Sequence, residues 1–178
     1  SAFWADIDTR SSGSGLVYYK SEPHRFTVIW DSVGYFSYQV DKHNTFEIII
    51  SDGTDPVVGI GKNVAFSYGD MQWTTGSASG GVGGFGGVPA TVGANMGDGV
   101  NYALVGRFDH VGSDYDGAGG NSDGVSYLDC KTFRFNVGQG AGTISGAKFR
   151  DDNDNCIKDA GELGLPGWTI KLEPGPKF

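Results

Sequence analysis

Short segments in which apolar and polar residues alternate constrain this chain more than any other feature of its sequence. Alternation with a period of two runs through residues 36–41, 46–51, 132–137 and 168–173. A fifth segment, Phe26–Trp30, consists almost entirely of β-branched and aromatic residues. A period of two places alternate side chains on opposite faces of a strand, and these residue types are enriched in strands. The pattern predicts half-buried β-strands.

Clusters of turn-forming residues separate these predicted strands. They lie at residues 11–15, 31–34, 51–56 and 112–124. No segment has a helical period over a dozen residues, and the best short helical candidate is 89–95. A chain of many short strands and turns predicts an all-β fold, here an antiparallel, sandwich-like body with long glycine-rich loops.

Glycine accounts for 31 of the 178 residues, and ten glycines lie between Gly76 and Gly99. One interpretation of this stretch is a long surface loop. Val82, Phe85 and Val88 nevertheless recur in it at intervals of three residues. We therefore expect an ordered, packed segment in which glycines permit tight turns of the backbone.

A change of composition at residues 137–142, which are rich in glycine, predicts a linker. We expect a β domain over residues 1–137, a linker at 138–142 and a separate β segment over 143–178. The chain has neither an initiator methionine nor a signal peptide at its start, so we expect it to be a processed or excised piece of a longer secreted protein.

The net charge is −8, from 13 basic and 21 acidic residues, and no run of lysine or arginine occurs. Nucleic-acid-binding proteins carry a basic patch or stripe, so we expect no nucleic-acid partner. The longest apolar runs, such as Ile48–Ile50, are far shorter than the roughly 20 residues that a membrane-spanning helix needs. We therefore expect no membrane span.

The strongest chemical signal is an acidic loop over residues 151–162. Its spacing matches a twelve-residue calcium loop of EF-hand type, with oxygen ligands at positions 1, 3, 5, 7, 9 and 12. The predicted ligands are Asp151, Asn153, Asn155, the carbonyl of Ile157, Asp159 and Glu162. Cys156 stands where such loops have glycine, and the flanking segments have the pattern of strands. The alternative is a solvated acidic turn.

The segments on either side of this loop, Gly142–Phe149 and Ala160–Leu172, resemble the start of the B-type repeats of bacterial surface adhesins. The resemblance implies part of an immunoglobulin-like β-sandwich with calcium in the loop. Two strands do not make a stable sandwich. We therefore expect the remaining strands to belong to a longer polypeptide or to another chain.

A second resemblance covers roughly residues 3–137. Its motifs are the Phe-Trp-Ala-Asp-Ile-Asp-Thr-Arg run at 3–10, the segments at 15–19 and 26–30, Phe46–Gly53, and Phe66–Trp73 followed by Thr-Gly. These resemble the nidogen-like extracellular domain. The resemblance implies a β-rich module of basement-membrane, adhesion and bacterial surface proteins, with no enzymatic activity. The family's domain begins with further strands before the first motif.

Two other groups of carboxylates are candidate sites. Asp6 and Asp8 share one face of a strand, where they could bind a metal or accept hydrogen bonds from turns and pair with Arg10. The second group lies in and beside a glycine-rich loop, where it could form a second calcium site or the Asx turns that use the same residue types. Its members are Asp114, Asp116, Asn121, Asp123 and the adjacent Asp129.

Cys130 and Cys156 are the only cysteines. Extracellular residence favours oxidation, and we expect a disulfide between them or links between chains. The position of Cys156 inside the predicted calcium loop is an obstacle to an intrachain bridge, because a disulfide requires the two backbones to approach closely.

No enzymatic motif is present. His24, His43 and His110 stand alone, and no Gly-x-Ser-x-Gly element occurs. The sequence therefore predicts a non-enzymatic protein at the cell surface or outside the cell. One hypothesis is a calcium-rigidified structural subunit that associates head to tail through β-strands. The alternative is an adhesin module that binds other proteins or glycans through aromatic residues such as Tyr35, Tyr115 and Tyr127.

Overall fold

The computed structural model describes residues 1–137. These residues all belong to one compact unit. The predicted linker at 138–142 and the predicted segment at 143–178 lie outside the described residues. The proposed division of the chain into these parts therefore stays a prediction.

Eight strands and two short 3₁₀ helices make up the described part. The strands are β1 (Val17–Glu22), β2 (Arg25–Tyr35), β3 (Gln39–Ser51), β4 (Val64–Met71), β5 (Ala90–Asn95), β6 (Tyr102–His110), β7 (Asp123–Gly124) and β8 (Thr132–Phe135). The 3₁₀ helices are Ser77–Ser79 and Val125–Leu128. The predicted all-β class is confirmed.

The strands form two sheets. The larger has the order β1-β2-β3-β4-β8 and is antiparallel throughout. The smaller has the order β5-β6-β7, in which β5 and β6 are antiparallel and the two-residue β7 is parallel to β6. Antiparallel hairpins of alternating sequence can bury one face and leave the other in water, and the two sheets bury such faces against each other.

The core lies between the sheets and is rich in aromatic rings. Trp30 of β2, Phe46 of β3 and Tyr68 of β4 follow one another across the larger sheet, with a ring separation of 4.9 Å for the first pair. The smaller sheet contributes Val92 and Phe108, both fully buried. Aromatic side chains bury large areas and dominate core energetics, which explains how a chain so rich in glycine builds a core.

The N-terminal segment joins the two sheets. Trp4 exchanges backbone hydrogen bonds with Thr91 of β5, and Ile7 bridges to Tyr35 of β2. Just before the first bridge, Phe3 is buried against Phe46 and the indole of Trp73. The start of the chain therefore holds the sandwich together along one side.

The predicted strands at 26–30 and 46–51 are confirmed, and the one predicted at 132–137 is confirmed over 132–135. The turn between the first two was misplaced. Residues 31–34 continue β2 through a bulge, where Ser32 has φ 53°. The reversal falls instead at residues 36–38, inside the alternating segment predicted as a strand. Asp31 donates its backbone N–H to Leu16, so pairing with the neighbouring chain segment extends the strand across residues of turn-forming type.

The helical candidate at 89–95 was also wrong, because Ala90–Asn95 is strand β5. Its pairing with β6 places Ala90 and Val92 in the core. A β-strand rather than a helix forms because the backbone hydrogen bonds of β5 go to a neighbouring strand instead of to residues within the segment. Tertiary context commonly overrides weak local propensity in this way.

The glycine-rich stretch is ordered, as predicted, and its packing is partial. Thr74 and Thr75 donate their N–H groups to the carbonyl of Gly84, and Phe85 packs against the core. Val82 and Val88 are exposed. Gly87 has φ 63°, and a Cβ built there would lie 2.3 Å from the carbonyl oxygen of Ser79. This turn therefore requires glycine.

Candidate functional site

Strand β1 leaves one edge of the larger sheet open. It pairs with β2 on one side, and no strand of residues 1–137 pairs with it on the other. Leu16 accepts a hydrogen bond from Asp31 of β2. Because bonded and non-bonded residues alternate along an antiparallel strand, Val17, Tyr19 and Ser21 point their N–H and C=O groups away from the sheet. An edge of this kind can accept another strand.

The face of the larger sheet that carries the core is uncovered at the β1–β2 end. Tyr19 is 76% exposed there, Ile50 48%, Val17 45% and Phe26 39%. The rings of Tyr19 and Phe26 lie 5.8 Å apart. These side chains form a continuous apolar stripe beside the open edge, and we call the two features together the β1 surface. Contiguous exposed apolar surface of this kind marks interaction sites.

The opposite face of the same strands carries charge. Glu22 accepts hydrogen bonds from the guanidinium of Arg25 at 2.8 and 3.0 Å and lies 3.1 Å from the amine of Lys20. These bonds, first from Arg25 and then from Lys20, hold the pKa of Glu22 below its ordinary value. The charges are thus confined to one face of the sheet end, and the other face is apolar.

A shallow groove of about 450 Å³ lies on the smaller sheet. Trp4 and Tyr102 are at its edge, 74% and 75% exposed, and Gly93 and Asn95 of β5 line it. Exposed aromatic rings beside hydrogen-bonding side chains are suited to a ligand with both apolar and polar faces. Neither aromatic residue was a candidate binding residue on sequence grounds.

The aromatic residues that the sequence suggested for ligand binding are packed within the domain. Tyr35 is buried, and its hydroxyl donates to Asp41 at 2.7 Å, while burial raises its pKa to about 12. The rings of Tyr115 and Tyr127 stack with centroids 3.8 Å apart, and the hydroxyl of Tyr115 donates to the carbonyl of Val105. Each of the three rings is thus already packed against another aromatic side chain of the domain.

Asp6 and Asp8 accept hydrogen bonds from separate parts of the chain. The Asp8 carboxylate accepts from Arg10 at 2.7 and 2.8 Å and from the backbone of Tyr38 at 3.1 Å. The hydrogen bond from Arg10 is the main reason that the pKa of Asp8 is well below its ordinary value. Asp6 accepts from the backbone and hydroxyl of Ser79. Of the two roles considered from the sequence, these contacts match the second, in which the carboxylates accept hydrogen bonds from turns and Asp8 pairs with Arg10.

The second predicted calcium group is also engaged by protein donors. The buried carboxylate of Asp123 accepts backbone N–H bonds from Arg107 and Asp116, both at 2.9 Å. Asp116 accepts from the backbone of Asn121, whose side-chain oxygen faces Arg107. Burial raises the pKa of Asp123.

Asp114, the remaining member of this group, faces the ring of His110 at 2.9 Å. Asp129, beside the loop, accepts the backbone N–H of Met71. Among residues 1–137, no group of three or more His, Cys, Asp or Glu side chains could hold a metal ion. The arrangement is that of Asx-type turns. A calcium ion at Asp114, Asp116, Asn121 and Asp123 stays a prediction.

The other predicted site falls outside the described residues. It is the calcium loop of Asp151, Asn153, Asn155, Ile157, Asp159 and Glu162. Cys130 is exposed, and its predicted partner Cys156 also lies beyond residue 137. The calcium loop and the disulfide both stay predictions.

Comparison with known protein families identifies the family of this chain. A model of the nidogen-like domain matches residues 20–116, more than half of the chain. The chain belongs to the nidogen-like domain family. The match begins in β1 and runs through β6 into the following loop. No curated protein and no solved structure matches the chain.

Nidogen-like domains are extracellular and non-enzymatic modules. The family match confirms this half of the resemblance drawn from the sequence, whereas the resemblance to a B-type adhesin repeat stays a prediction. Over residues 1–137, no helix is both long enough and apolar enough to cross a membrane. Within this nidogen-like domain, the β1 surface and the Trp4–Tyr102 groove are the two candidate sites of interaction.

Proposed function

We propose that this nidogen-like domain is a structural module of an extracellular matrix, adhesion or filament assembly, and that copies join through β-strand contacts at the β1 surface. The observation that carries the proposal is the open edge of β1 beside an exposed apolar stripe. No catalytic role is assigned, in keeping with a non-enzymatic family. The expected location is outside the cell or at its surface.

Strand addition suits this surface for two reasons. The outward N–H and C=O groups of Val17, Tyr19 and Ser21 would gain main-chain hydrogen bonds, which supply affinity in β-augmentation. Alternate side chains of the incoming strand would pack beside Tyr19 and remove part of its ring from water, at about 25 cal/mol per Å² of apolar area. If the incoming strand comes from a different part of the next copy, the contact is head to tail and grows a fibre.

Calcium belongs to the second part of the proposal. We infer that residues 151–162 bind one calcium ion through the predicted oxygen ligands, since hard oxygen donors at this spacing are what the ion requires. The ion would rigidify the segment at 143–178, which we propose to be part of a B-type repeat. A rigid C-terminal segment would fix the angle between successive domains. A disulfide between Cys130 and Cys156, or between chains, would lock that arrangement.

Sedimentation velocity on the full 178-residue chain tests the assembly. Tyr19→Lys places a charge in the apolar stripe, and Val82→Lys is the matched control at an exposed valine on the glycine-rich loop. We expect concentration-dependent assembly of the wild type and of Val82→Lys, and monomers for Tyr19→Lys. A monomeric wild type at high concentration, or assembly that Tyr19→Lys leaves intact, contradicts assembly through this surface.

The same experiment in the presence of excess chelator tests the proposed role of calcium separately. Excess chelator should shorten the assemblies and lower the thermal stability of the wild type, and calcium should restore both. Asp151→Asn together with Glu162→Gln should behave like the chelated wild type. Failure to bind calcium in a titration calorimeter would remove the ion from the proposal without affecting the β1 surface.

A second candidate function rests on the Trp4–Tyr102 groove, which would make the domain a saccharide- or protein-binding module of a larger adhesin. Aromatic rings can stack on sugar rings while Asn95 offers hydrogen bonds. A glycan array with the wild type and Trp4→Ala tests it, with Tyr19→Ala as a control at another exposed aromatic residue. Binding that Trp4→Ala alone abolishes would support this function, and no binding to any glycan would remove the saccharide version.

A further inference from the structure

The open edge of β1 offers its hydrogen-bonding groups in a short, bounded pattern. The N–H and C=O groups of Val17, Tyr19 and Ser21 point outward, and no strand of residues 1–137 pairs with them. The pattern ends on one side at Gly15, whose N–H turns inward and donates to a carbonyl of β2 at 2.8 Å. It ends on the other side at Pro23, which has no N–H. A strand that pairs at this edge can therefore bond fully only to the residues between these limits.

We propose that the strand that pairs at this edge is β1 of a second copy, antiparallel to the first about a two-fold axis that passes between the two Tyr19 residues. This inference rests on the proposed assembly through the β1 surface and names the strand that meets it. A two-fold axis perpendicular to the sheet keeps the apolar faces of both copies on one side. Parallel pairing of two β1 edges would turn one copy over and set its charged face beside the apolar stripe.

The ends of the edge select one register for this pair. Hydrogen bonding in an antiparallel pair requires residues with outward groups to stand opposite one another. With Tyr19 opposite Tyr19, Val17 stands opposite Ser21, and every bonded residue has both an N–H and a C=O to offer. A shift in one direction sets Ser21 opposite Gly15, whose N–H is already used. A shift in the other direction sets Val17 opposite Pro23, which cannot donate.

The charged face of the strand agrees with the same register. Lys20 of one copy stands directly opposite Tyr18 of the other, so each ammonium group lies beside an aromatic ring. The amine of Lys20 also lies 3.1 Å from Glu22 of its own chain, which offsets its charge. The shift that sets Val17 opposite Pro23 would instead place Lys20 opposite Lys20, and like charges directly opposite one another destabilise a strand pair.

On the apolar face, the contact joins the exposed stripes of the two copies. Tyr19, which is 76% exposed in one copy, gains the second Tyr19 as a direct neighbour. The larger sheets of the two copies become continuous through β1. Because both copies use the same surface, the contact is isologous and closes as a dimer. Pairing through β1 therefore builds a dimer, and a longer filament requires a second contact elsewhere on the protein.

Cysteine cross-linking on the full chain identifies the register. Cys130→Ser together with Cys156→Ser removes both native thiols. In that background, Tyr18→Cys and Lys20→Cys would be made separately, at side chains that are 51% and 71% exposed. Facing residues of a non-hydrogen-bonded pair have Cα atoms about 4.5 Å apart, within the range of about 4.4–6.8 Å that a disulfide spans. Each variant and their mixture would be oxidised mildly with copper phenanthroline.

We expect disulfide-linked dimers from the mixture and few from either variant alone. Dimers of Tyr18→Cys alone would indicate the shift toward Gly15, and dimers of Lys20→Cys alone the shift toward Pro23. Either result overturns the proposed pair. Val82→Cys, at an exposed valine on the glycine-rich loop, measures cross-linking by random collision. A mixture that forms no more dimer than Val82→Cys also overturns the proposal.

A backbone variant tests strand pairing without changing the apolar stripe. Ser21→Pro removes an outward N–H, which edge strands tolerate. In the proposed register this N–H bonds the carbonyl of Val17 in the second copy, and the two-fold axis removes the bond twice. Ser21→Ala is the matched control because it keeps the N–H. By sedimentation equilibrium, we expect Ser21→Pro to raise the dimer dissociation constant at least about tenfold and Ser21→Ala to change it less than about twofold.

Thermal unfolding of dilute samples shows whether each variant is folded. The results also separate this inference from the proposed function. A wild type that stays monomeric at high concentration overturns both. Assembly that Tyr19→Lys abolishes but Ser21→Pro leaves unchanged overturns the β1–β1 pair alone, and leaves assembly through the β1 surface in place.

Discussion

Apolar and polar residues alternate in the same way at the two ends of the larger sheet, but the apolar side chains are buried at one end and exposed at the other. In β3 and β4, apolar residues at alternate positions, such as Phe46 and Phe66, are almost fully buried under the smaller sheet. In β1 and β2, Tyr19 and Phe26 occupy the same face and remain exposed. We call these the covered half and the open half of the sheet.

The difference shows that alternation determines which face of a strand is apolar, and that a second layer determines whether the face is buried. The smaller sheet and Phe3 cover β3 and β4. Nothing among residues 1–137 covers the outer end of β1 and β2. Because apolar burial supplies most of the stabilising free energy of a domain, equal substitutions in the two halves should have unequal effects.

The largest expected effect comes from the same substitution made in both halves. Phe46→Ala removes a buried ring and leaves a cavity, so it should lower the free energy of unfolding by about 3–5 kcal/mol. Phe26→Ala removes a ring that is already partly in water, and should cost about 1 kcal/mol or less. Urea denaturation of both variants measures the difference. Equal losses would mean that the open half is covered in solution.

A buried amide in the covered half gives the next effect. The side-chain NH₂ group of the Asn44 amide donates a hydrogen bond to the carbonyl of Trp73. Its Oδ1 accepts hydrogen bonds from the backbone N–H groups of Gln72 and Trp73. Asn44→Asp keeps the shape but buries a carboxylate against a carbonyl oxygen, so it should cost about 3 kcal/mol at neutral pH. Protonation of the new carboxyl should recover part of this loss in acid. Urea denaturation at neutral and acidic pH measures both effects.

Asn63→Asp is the matched control for that variant. Asn63 makes the same kind of bonds to the backbone of Val137, but is only half-buried. Water can solvate a carboxylate there, so we expect a loss of about 1 kcal/mol or less. If Asn63→Asp is as costly as Asn44→Asp, the distinction between the two sites fails.

The Asp8–Arg10 pair, which contacts the reversal between β2 and β3, should make the stability of the domain fall in acid. The lowered pKa of Asp8 means that its stabilisation is present above about pH 4 and is lost as the pH falls below that value. Thermal unfolding from about pH 5 down to about pH 2 should show a steeper loss in the wild type than in Asp8→Asn. Arg10→Gln should flatten the curve similarly, and the double variant should flatten it no further.

The smallest effect on stability is expected at the open edge. Tyr19→Thr keeps a strand-forming residue and removes an exposed ring, so the free energy of unfolding should change by no more than about 0.5 kcal/mol in dilute solution. Assembly measured at high concentration should nevertheless weaken. A large loss of stability in the dilute monomer would mean that Tyr19 is more deeply packed in solution than its 76% exposure indicates.

Much of the fold could be predicted from the sequence, because the alternation that indicates a strand is a pattern among neighbouring residues. Alternation at 46–51 and 132–137 predicted the end of β3 and the whole of β8, and the β-branched run at 26–30 predicted the centre of β2. The bulge at Ser32 and the reversal at residues 36–38 were not predictable, because pairing between β2 and β3 selects one register among several that the turn-forming residues allow. β5 was missed because its alternating residues are mostly small and include Gly93, which weakens the strand signal, and its pairing with β6 decides its conformation.

The candidate sites were harder to predict. Paired carboxylates suggested metal ligands at Asp114, Asp116 and Asp123. In the structure these groups accept backbone N–H bonds or lie beside His110, and a calcium ion there stays a prediction. No sequence pattern marked Trp4 and Tyr102 as exposed binding residues, because the exposure of an aromatic residue depends on what packs over it.

The sequence by itself determined that this chain forms strands, which residues face inward in most of them, and that it belongs with extracellular nidogen-like domains. These properties depend on side-chain period and on short motifs that neighbouring residues define. Tertiary structure alone decided the order of the strands, the turn positions, and which apolar face remained uncovered. Those depend on pairing between segments far apart in the chain, where the free energy comes from burial that no local pattern records.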